Sequence, residues 1–245
     1  MSDEHQETSE SGAPIYRHEA DEEREAMLPP AEVKALEEIT DHIEAHIGPV
    51  EMVFHEMVSD RIHVDIHWVK PGPDRPFHSL ITSGMSDLPM EVPKGLEALR
   101  FAEVSICLPP DWPMSQEAFQ NEANYWPIRM LKVIARFPHE YNTWLGFGHT
   151  IPYGNPPMAF ADNTKMNTIL LMPTIVFGEA FHQLTLAERS IHFYSLIPLY
   201  QEEVEKKMQK GVESLFDGFD QYGVTDILAV NRPNTAIRKK WLGLF

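Results

Sequence analysis

The chain is short of cysteine, of long apolar runs and of positive charge, and each shortage excludes something. Cys107 is the only cysteine among 245 residues, so no intrachain disulfide can form and a reducing compartment fits. No uninterrupted apolar run approaches the roughly 20 residues that span a bilayer. The opening MSDEHQETSE has neither the basic nor the apolar region of a secretory signal, so a soluble cytoplasmic protein is the expectation. Twenty Lys and Arg face 37 Asp and Glu, a net charge of −17. Such a surface repels nucleic-acid backbones and anionic membranes and speeds encounter with a basic protein, so the expected partner is a protein, with no nucleic acid, no membrane and no cofactor.

What is present is an ordinary globular composition, 43% hydrophobic and 23% charged, on a chain long enough to bury a sizeable core. Residues 1–25 hold nine acids against two arginines and little apolar surface. Such a segment cannot offset its ordering entropy by burial, which predicts a mobile acidic arm over 1–28 and a single domain over 29–245. Val33, Leu36, Ile39, Ile43 and Ile47 recur at helical spacing, and Gly48-Pro49 ends that run. VEMVFHEMV and RIHVDIHWV flank Ser59-Asp60 as a hairpin. Further strands are predicted at 77–83, 100–108, 168–176 and 190–197, and further helices at 115–124, 127–136 and 199–218. Strands and helices do not alternate as regular βαβ units, so the predicted class is α+β: a mixed, mostly antiparallel sheet with helices packed on it.

The stretch RIHVDIHWV raises the question of chemistry. On a strand, Ile62, Val64, Ile66 and Trp68 share one face, and His63, Asp65 and His67 share the other. Neighbours on that face stand about 6.6 Å apart, so two adjacent members can grip a metal ion, whereas all three cannot converge without a bulge. The other reading is a polar, partner-facing sheet surface. Cys107 alternates with Ile106 and Leu108 and has no base beside it in sequence, which makes it a packed residue. GFGH at 146–149 lacks the third glycine of a dinucleotide site, and TSGMSD lacks the hydrolase elbow. Arg129, Lys132 and Arg136 form a basic stripe at helical spacing, read either as pairing with the protein's own acids or as a cradle for an acidic peptide, its own arm included. Tryptophans stand beside prolines in DWP and YWP. Buried core is the commoner fate of such rings, and a rigid interface anchor is the alternative.

Several segments taken together carry a family likeness. HVDIHWVKP, HSLITSGMSDLPM, AEVSICLPPDW, WPIRMLKVIARFPHEYNTWLGFGHTIP, FADNTKMNTILLMP and SLIPLYQEEVEKKMQKGVESLF follow in the order and character of the suppressor of fused family, and the chain resembles its bacterial members over about residues 48–216. The positions that match are Thr82, Gly84, Met85, Ser86, Pro109, Trp112, Trp126, Pro127, Trp144, Pro198, Tyr200 and Glu203. The resemblance implies one α+β domain that binds other proteins and has no catalytic activity. Animal relatives sequester zinc-finger transcription factors, and bacterial relatives are thought to include immunity proteins that neutralise toxins. The expected function is therefore a non-catalytic protein-binding module, specifically an immunity protein that blocks a basic toxin, with the contact surface at His63, Asp65, His67, Trp112 and Trp144. A regulator or scaffold with several cellular partners is the alternative, and a metal-dependent hydrolase using His63, Asp65 or His67 is the rival class. The segment 217–245 lies beyond the recognisable part.

Overall fold

The computed structural model describes residues 7–18, 33–56 and 62–237. Helix α1 (Leu36–His46) forms on the predicted apolar spacing and buries Ile39 and Ile43. The hairpin follows: β1 (Val50–Phe54) pairs antiparallel with β2 (Asp65–Val69), with a bulge between Val50 and Met52; the Ser59-Asp60 turn lies outside the described residues. Strands β3 (His78–Ser83) and β4 (Ala102–Leu108) extend the antiparallel meander. After a long connection carrying α2 (Glu122–Glu140) come β5 (Thr150–Pro152), β6 (Thr168–Pro173), β7 (Gln183–Thr185) and β8 (Ser190–Leu199). Helices α3 (Gln201–Lys210) and α4 (Phe216–Tyr222) close the order.

One sheet joins all eight strands in the order β1-β2-β3-β4-β8-β6-β5, with β7 on the N-terminal half of β8. Among the described strands only β4 and β8 pair in parallel, in register Ala102↔His192 through Ser105↔Ser195. The predicted mixed, mostly antiparallel α+β class is the one found. Every residue of β3 and β4 is buried, which a sheet allows only when both faces are covered. On one face Ile66, Leu80, Val104 and Ile106 pack with Trp126, Met130, Leu131 and Ile134 of α2. On the other, Val69 and Ile81 pack with Ile39 and Ile43 of α1 and with Phe181 and Phe193. A third cluster seats Leu215 and Phe219 on Leu170, Met172 and Ile197.

Three boundaries differ from the sequence prediction, each for a local reason. α2 opens at Asn121, whose Oδ1 accepts the N–H of Ala123 at 3.0 Å, so the cap and not Trp126-Pro127 starts the helix, and Pro127 sits inside it. Residues 115–121 hold only a short 3-10 turn at Ala118–Gln120. The helix predicted over 199–218 breaks at Gly211, whose φ is +85°, a backbone state glycine adopts without strain. No helix among the described residues is long and apolar enough to cross a membrane.

Candidate functional site

The polar face expected at His63, Asp65 and His67 is not exposed: their relative accessibilities are 6%, 6% and 0%. The hairpin alternation is present, but α1 and the segment around Phe181 cover the side of the sheet that the sequence leaves open. Asp65 is spent on holding the hairpin's ends together, Oδ2 accepting from His55 Nδ1 at 2.8 Å and Oδ1 from the Glu56 N–H at 3.0 Å. His67 Nε2 lies 2.9 Å from Ser83 Oγ, and Nδ1 faces the hydroxyl of Thr40 on α1. Burial pushes the His67 pKa down to about 4, so at neutral pH the ring is uncharged. No group of three His, Cys, Asp or Glu among the described residues is placed to hold a metal. Cys107 is fully buried and burial drives its thiol pKa well up, as a packed residue should show.

The TSGMSD turn is built around an acid that sequence reasoning passed over. Glu103 is fully buried. Its Oε2 accepts the Thr82 hydroxyl at 2.6 Å, and its Oε1 accepts the Ser86 hydroxyl at 2.7 Å and N–H at 2.9 Å. Thr82 Oγ1 also receives the Val104 N–H at 2.9 Å, continuing the β3–β4 ladder by a side chain. Desolvation raises the carboxyl pKa to about 7 against the pull of those hydrogen bonds. Between the two hydroxyls, Gly84 takes φ +105°, and a Cβ there would lie 1.9 Å from the carbonyl oxygen of His63. Met85 fills the core and its carbonyl receives His139 Nε2 at 2.9 Å. The signal available in sequence was a lone acid inside FAEVSICL.

The SLIPLYQEEV segment makes a second acid pocket. Tyr200 N–H donates to Glu203 Oε2 at 3.0 Å, and Arg232 grips the same carboxylate with Nη1 on Oε1 at 2.7 Å and Nη2 on Oε2 at 2.5 Å. Arg232 also donates to the Pro198 carbonyl at 2.8 Å and lies over the Tyr200 ring. Thr235 adds its N–H and hydroxyl to Glu203 Oε1. Residues 226–235 therefore pack into the same body. Asp226 extends the closure, its Oδ2 accepting from Thr174 at 2.6 Å and Ser195 at 2.9 Å, while Leu228 N–H bonds the Cys107 carbonyl at 2.8 Å.

The tryptophans divide. Trp126 is fully buried and stacks on Phe160 with rings 4.9 Å apart. Trp112 is half-buried, following the Pro109 turn, with Nε1 bonded to the Asn124 carbonyl at 3.1 Å. Trp144 is half-buried with its ring 4.4 Å from that of His149. The basic stripe is answered internally: Arg136 and Lys132 pair with Glu56, and Arg129 with Glu122 at 2.6 Å. Residues 7–18, part of the segment predicted as a mobile arm, lie against the body instead, with His18 beside Phe137 and Tyr141 and Tyr16 beside His149.

These features match a known architecture. The family model for the suppressor of fused protein (SUFU) matches residues 60–233, reaching past the end of the likeness legible by eye. Among solved structures, a SUFU homologue from Neisseria gonorrhoeae FA 1090 aligns with TM-score 0.58 at 16% identity, over 81% of this chain and 94% of that one. The Sufu–Fu complex aligns with TM-score 0.59 at 15% identity, over 85% of this chain and 93% of that one. Drosophila Suppressor of Fused aligns with TM-score 0.56 at 15% identity, covering 85% of this chain and 52% of its own. At such identities the structures share the fold. A search of curated proteins returned no match.

Proposed function

We propose a function from one premise, that the chain belongs to the suppressor of fused family: it is a non-catalytic protein-binding module, and its partner is a basic protein such as a toxin that it neutralises by occupying it. The observation that carries the binding reading is the fold shared with a SUFU protein seen in a complex with Fu. The net charge of −17 supports the choice of a basic partner, because opposite fields steer encounter and carboxylates can fill a nucleic-acid groove. Half-buried Trp112 and Trp144 are the candidates for direct contact. Buried Asp65 serves from beneath, fixing the β1–β2 edge through His55 and Glu56, and buried His67 ties β2 to Ser83 of β3.

The test is capture of the tagged full-length chain from its native cells at low and high salt, with mass spectrometry of what accompanies it. One basic protein in stoichiometric amount, released by salt, is the expected result. Several substoichiometric partners would turn the reading to a regulator or scaffold. A retained metal at about one per chain, lost on His63→Ala/His67→Ala, would overturn it in favour of the hydrolase class.

A further inference from the structure

Helix α1 carries two histidines one turn apart in TDHIEAH, His42 and His46. Residues four apart stand on one helix face, and here the two rings meet with centres 4.6 Å apart and planes 66° apart. Two imidazoles that share one zinc ion, with Zn–N bonds of about 2.0–2.1 Å, hold their ring centres roughly 4.5–5 Å apart. The pair already stands at a chelating separation.

His42 is held as a metal-binding imidazole needs to be. Its ring stacks 5.1 Å from both Phe181 and Phe193, and its Nε2 lies 3.1 Å from the Phe181 carbonyl. A carbonyl only accepts, so Nε2 holds the proton and Nδ1 carries the free lone pair. An N–H anchored on a backbone carbonyl is the usual support behind a histidine ligand, because it fixes the tautomer and the ring orientation. Burial holds the His42 pKa below its ordinary value, so the ring is neutral at pH 7. Its Nδ1 makes no hydrogen bond and is not sealed from solvent. His46 is exposed in the last turn of the helix, and its nitrogens bond to no described residue.

The surroundings suit a cation. Glu37, Glu38, Asp41 and Glu44 are exposed on the same helix, and none is paired with a described cation. The carbonyl end of α1, the negative end of its dipole, lies beside His46. HIEAH lacks the glutamate directly after the first histidine that HExxH enzymes use as a base. Ile43 occupies that place and is fully buried, while Glu44 Oε1 is taken by the Val50 N–H at 3.1 Å. The arrangement is one for holding an ion, without the base that hydrolysis requires.

We propose that His42 and His46 form a site for a divalent transition metal of the zinc, nickel or copper class, His42 binding through Nδ1 and His46 through the ring nitrogen turned toward it. Imidazoles suit these ions, whereas calcium and magnesium take oxygen donors. Two protein ligands leave the remaining coordination positions to water, in keeping with the absence of a third His, Cys, Asp or Glu at the pair among the described residues. The ion braces the last turn of α1, and through the His42 N–H it firms the hold on the 3-10 turn Glu179–Phe181. The site does not rest on the protein-binding reading. Phe181 and Phe193 belong to the cluster on one face of the sheet, and Trp112 and Trp144 to the cluster on the other.

For the test, the full-length chain is stripped with EDTA, returned to chelator-free buffer and titrated with Zn2+ by calorimetry, with imidazole NMR spectra recorded at each step. Twelve histidines make weak, scattered binding the background, so the ligands of the first ion decide the matter. The expected result is one ion per chain at micromolar Zn2+, with the His42 and His46 signals shifting together ahead of every other histidine and a raised melting temperature. His46→Ala should weaken that ion by at least about tenfold while the metal-free melting temperature holds. His46→Cys should restore it, thiolate being a zinc ligand. His42→Phe, which keeps an aromatic ring beside Phe181 and Phe193, should lose the ion as well; if it does not fold, His46→Ala carries the test. The absence of a stoichiometric ion, a first ion that shifts other histidines, or one that survives His46→Ala overturns the site. An ion lost on His46→Ala and kept on His63→Ala/His67→Ala belongs here and leaves the protein-binding reading untouched, whereas the reverse pattern moves the metal to β2 and overturns this site.

Discussion

Arg232 and Glu203 meet fork to fork, with two N–H donors on two carboxylate oxygens at 2.7 and 2.5 Å. Glu203 is 0% exposed, so the pair is a buried one. Its partners hold the carboxyl pKa below its ordinary value against the opposing pull of burial. Removing one member of such a pair leaves an unanswered charge in the interior, at a cost of about 3–5 kcal/mol. Arg232→Met should therefore lower stability by that amount in urea unfolding. Arg232→Met/Glu203→Leu should recover part of it, because no charge is left unanswered although the Tyr200 and Thr235 donors and the Pro198 carbonyl lose their partner.

Gly84 faces the His63 carbonyl across a gap that admits no side chain. Gly84→Ala combines a backbone clash with a positive φ, a strain of at least about 1–3 kcal/mol. Loss of soluble expression or a lower urea midpoint is the expected outcome. An unchanged midpoint would mean that the turn from β3 into 85–87 can shift, and with it the Thr82–Glu103–Ser86 hydrogen bonds.

Stability should depend on pH through three groups shifted by burial, with His67 and His149 acting in one direction and Glu103 in the other. His67 titrates near 4 in the fold against 6.5 in the unfolded chain. Between those values the unfolded chain holds more protons, so stability rises with pH by up to ~3 kcal/mol at 1.36 kcal/mol per unit. Glu103 titrates near 7 against 4.5, so over that window the folded chain holds more protons and its contribution falls as pH rises. Urea midpoints measured from pH 4 to 8 should accordingly show a decline above pH 6.5 in the wild type. Glu103→Gln should abolish that decline and leave the rise due to His67 and His149.

Association with the cellular partner should slow steeply with salt. Steering by a −17 surface works through fields that ions screen over a Debye length of about 10 Å at 0.1 M. Stopped-flow association rates at rising ionic strength provide the check. A rate that does not move with salt would remove the electrostatic part of the functional reading while leaving the contact itself.

The strands of the meander were legible because HSLITS and AEVSICL are runs of β-branched and apolar residues bounded by turns. Their second covering layer was not. The alternation of 62–68 reads as one dry and one wet face, and only tertiary packing dries the second, with α1 on one side and Phe181 and Phe193, more than a hundred residues later, on the other. Glu103 and Arg232 were missed for the same reason: their partners are distant in sequence, and a lone acid in a strand or a lone arginine in a tail carries no periodicity. Residues 7–18 looked like a solvated charge run because the contacts that hold them are single rings and single hydrogen bonds. Lys207, in QEEVEKKMQK, is one lysine among several until the structure shows that it is the buried one.

The parallel register of β4 on β8, Ala102 opposite His192, has a consequence for how the chain comes into being. The strands from β1 to β4 can pair as they are made, each with the one before it. The central seam must wait for a partner about 90 residues later, across a loop whose closure entropy is unfavourable and which slows folding. The seal on Cys107 by residues 226–228 and the Arg232 clamp come later still. On the ribosome, then, β4 stays an open apolar edge while about 90 further residues are made. The interval before β8 emerges is when this protein is most exposed to wrong pairing and to chaperones.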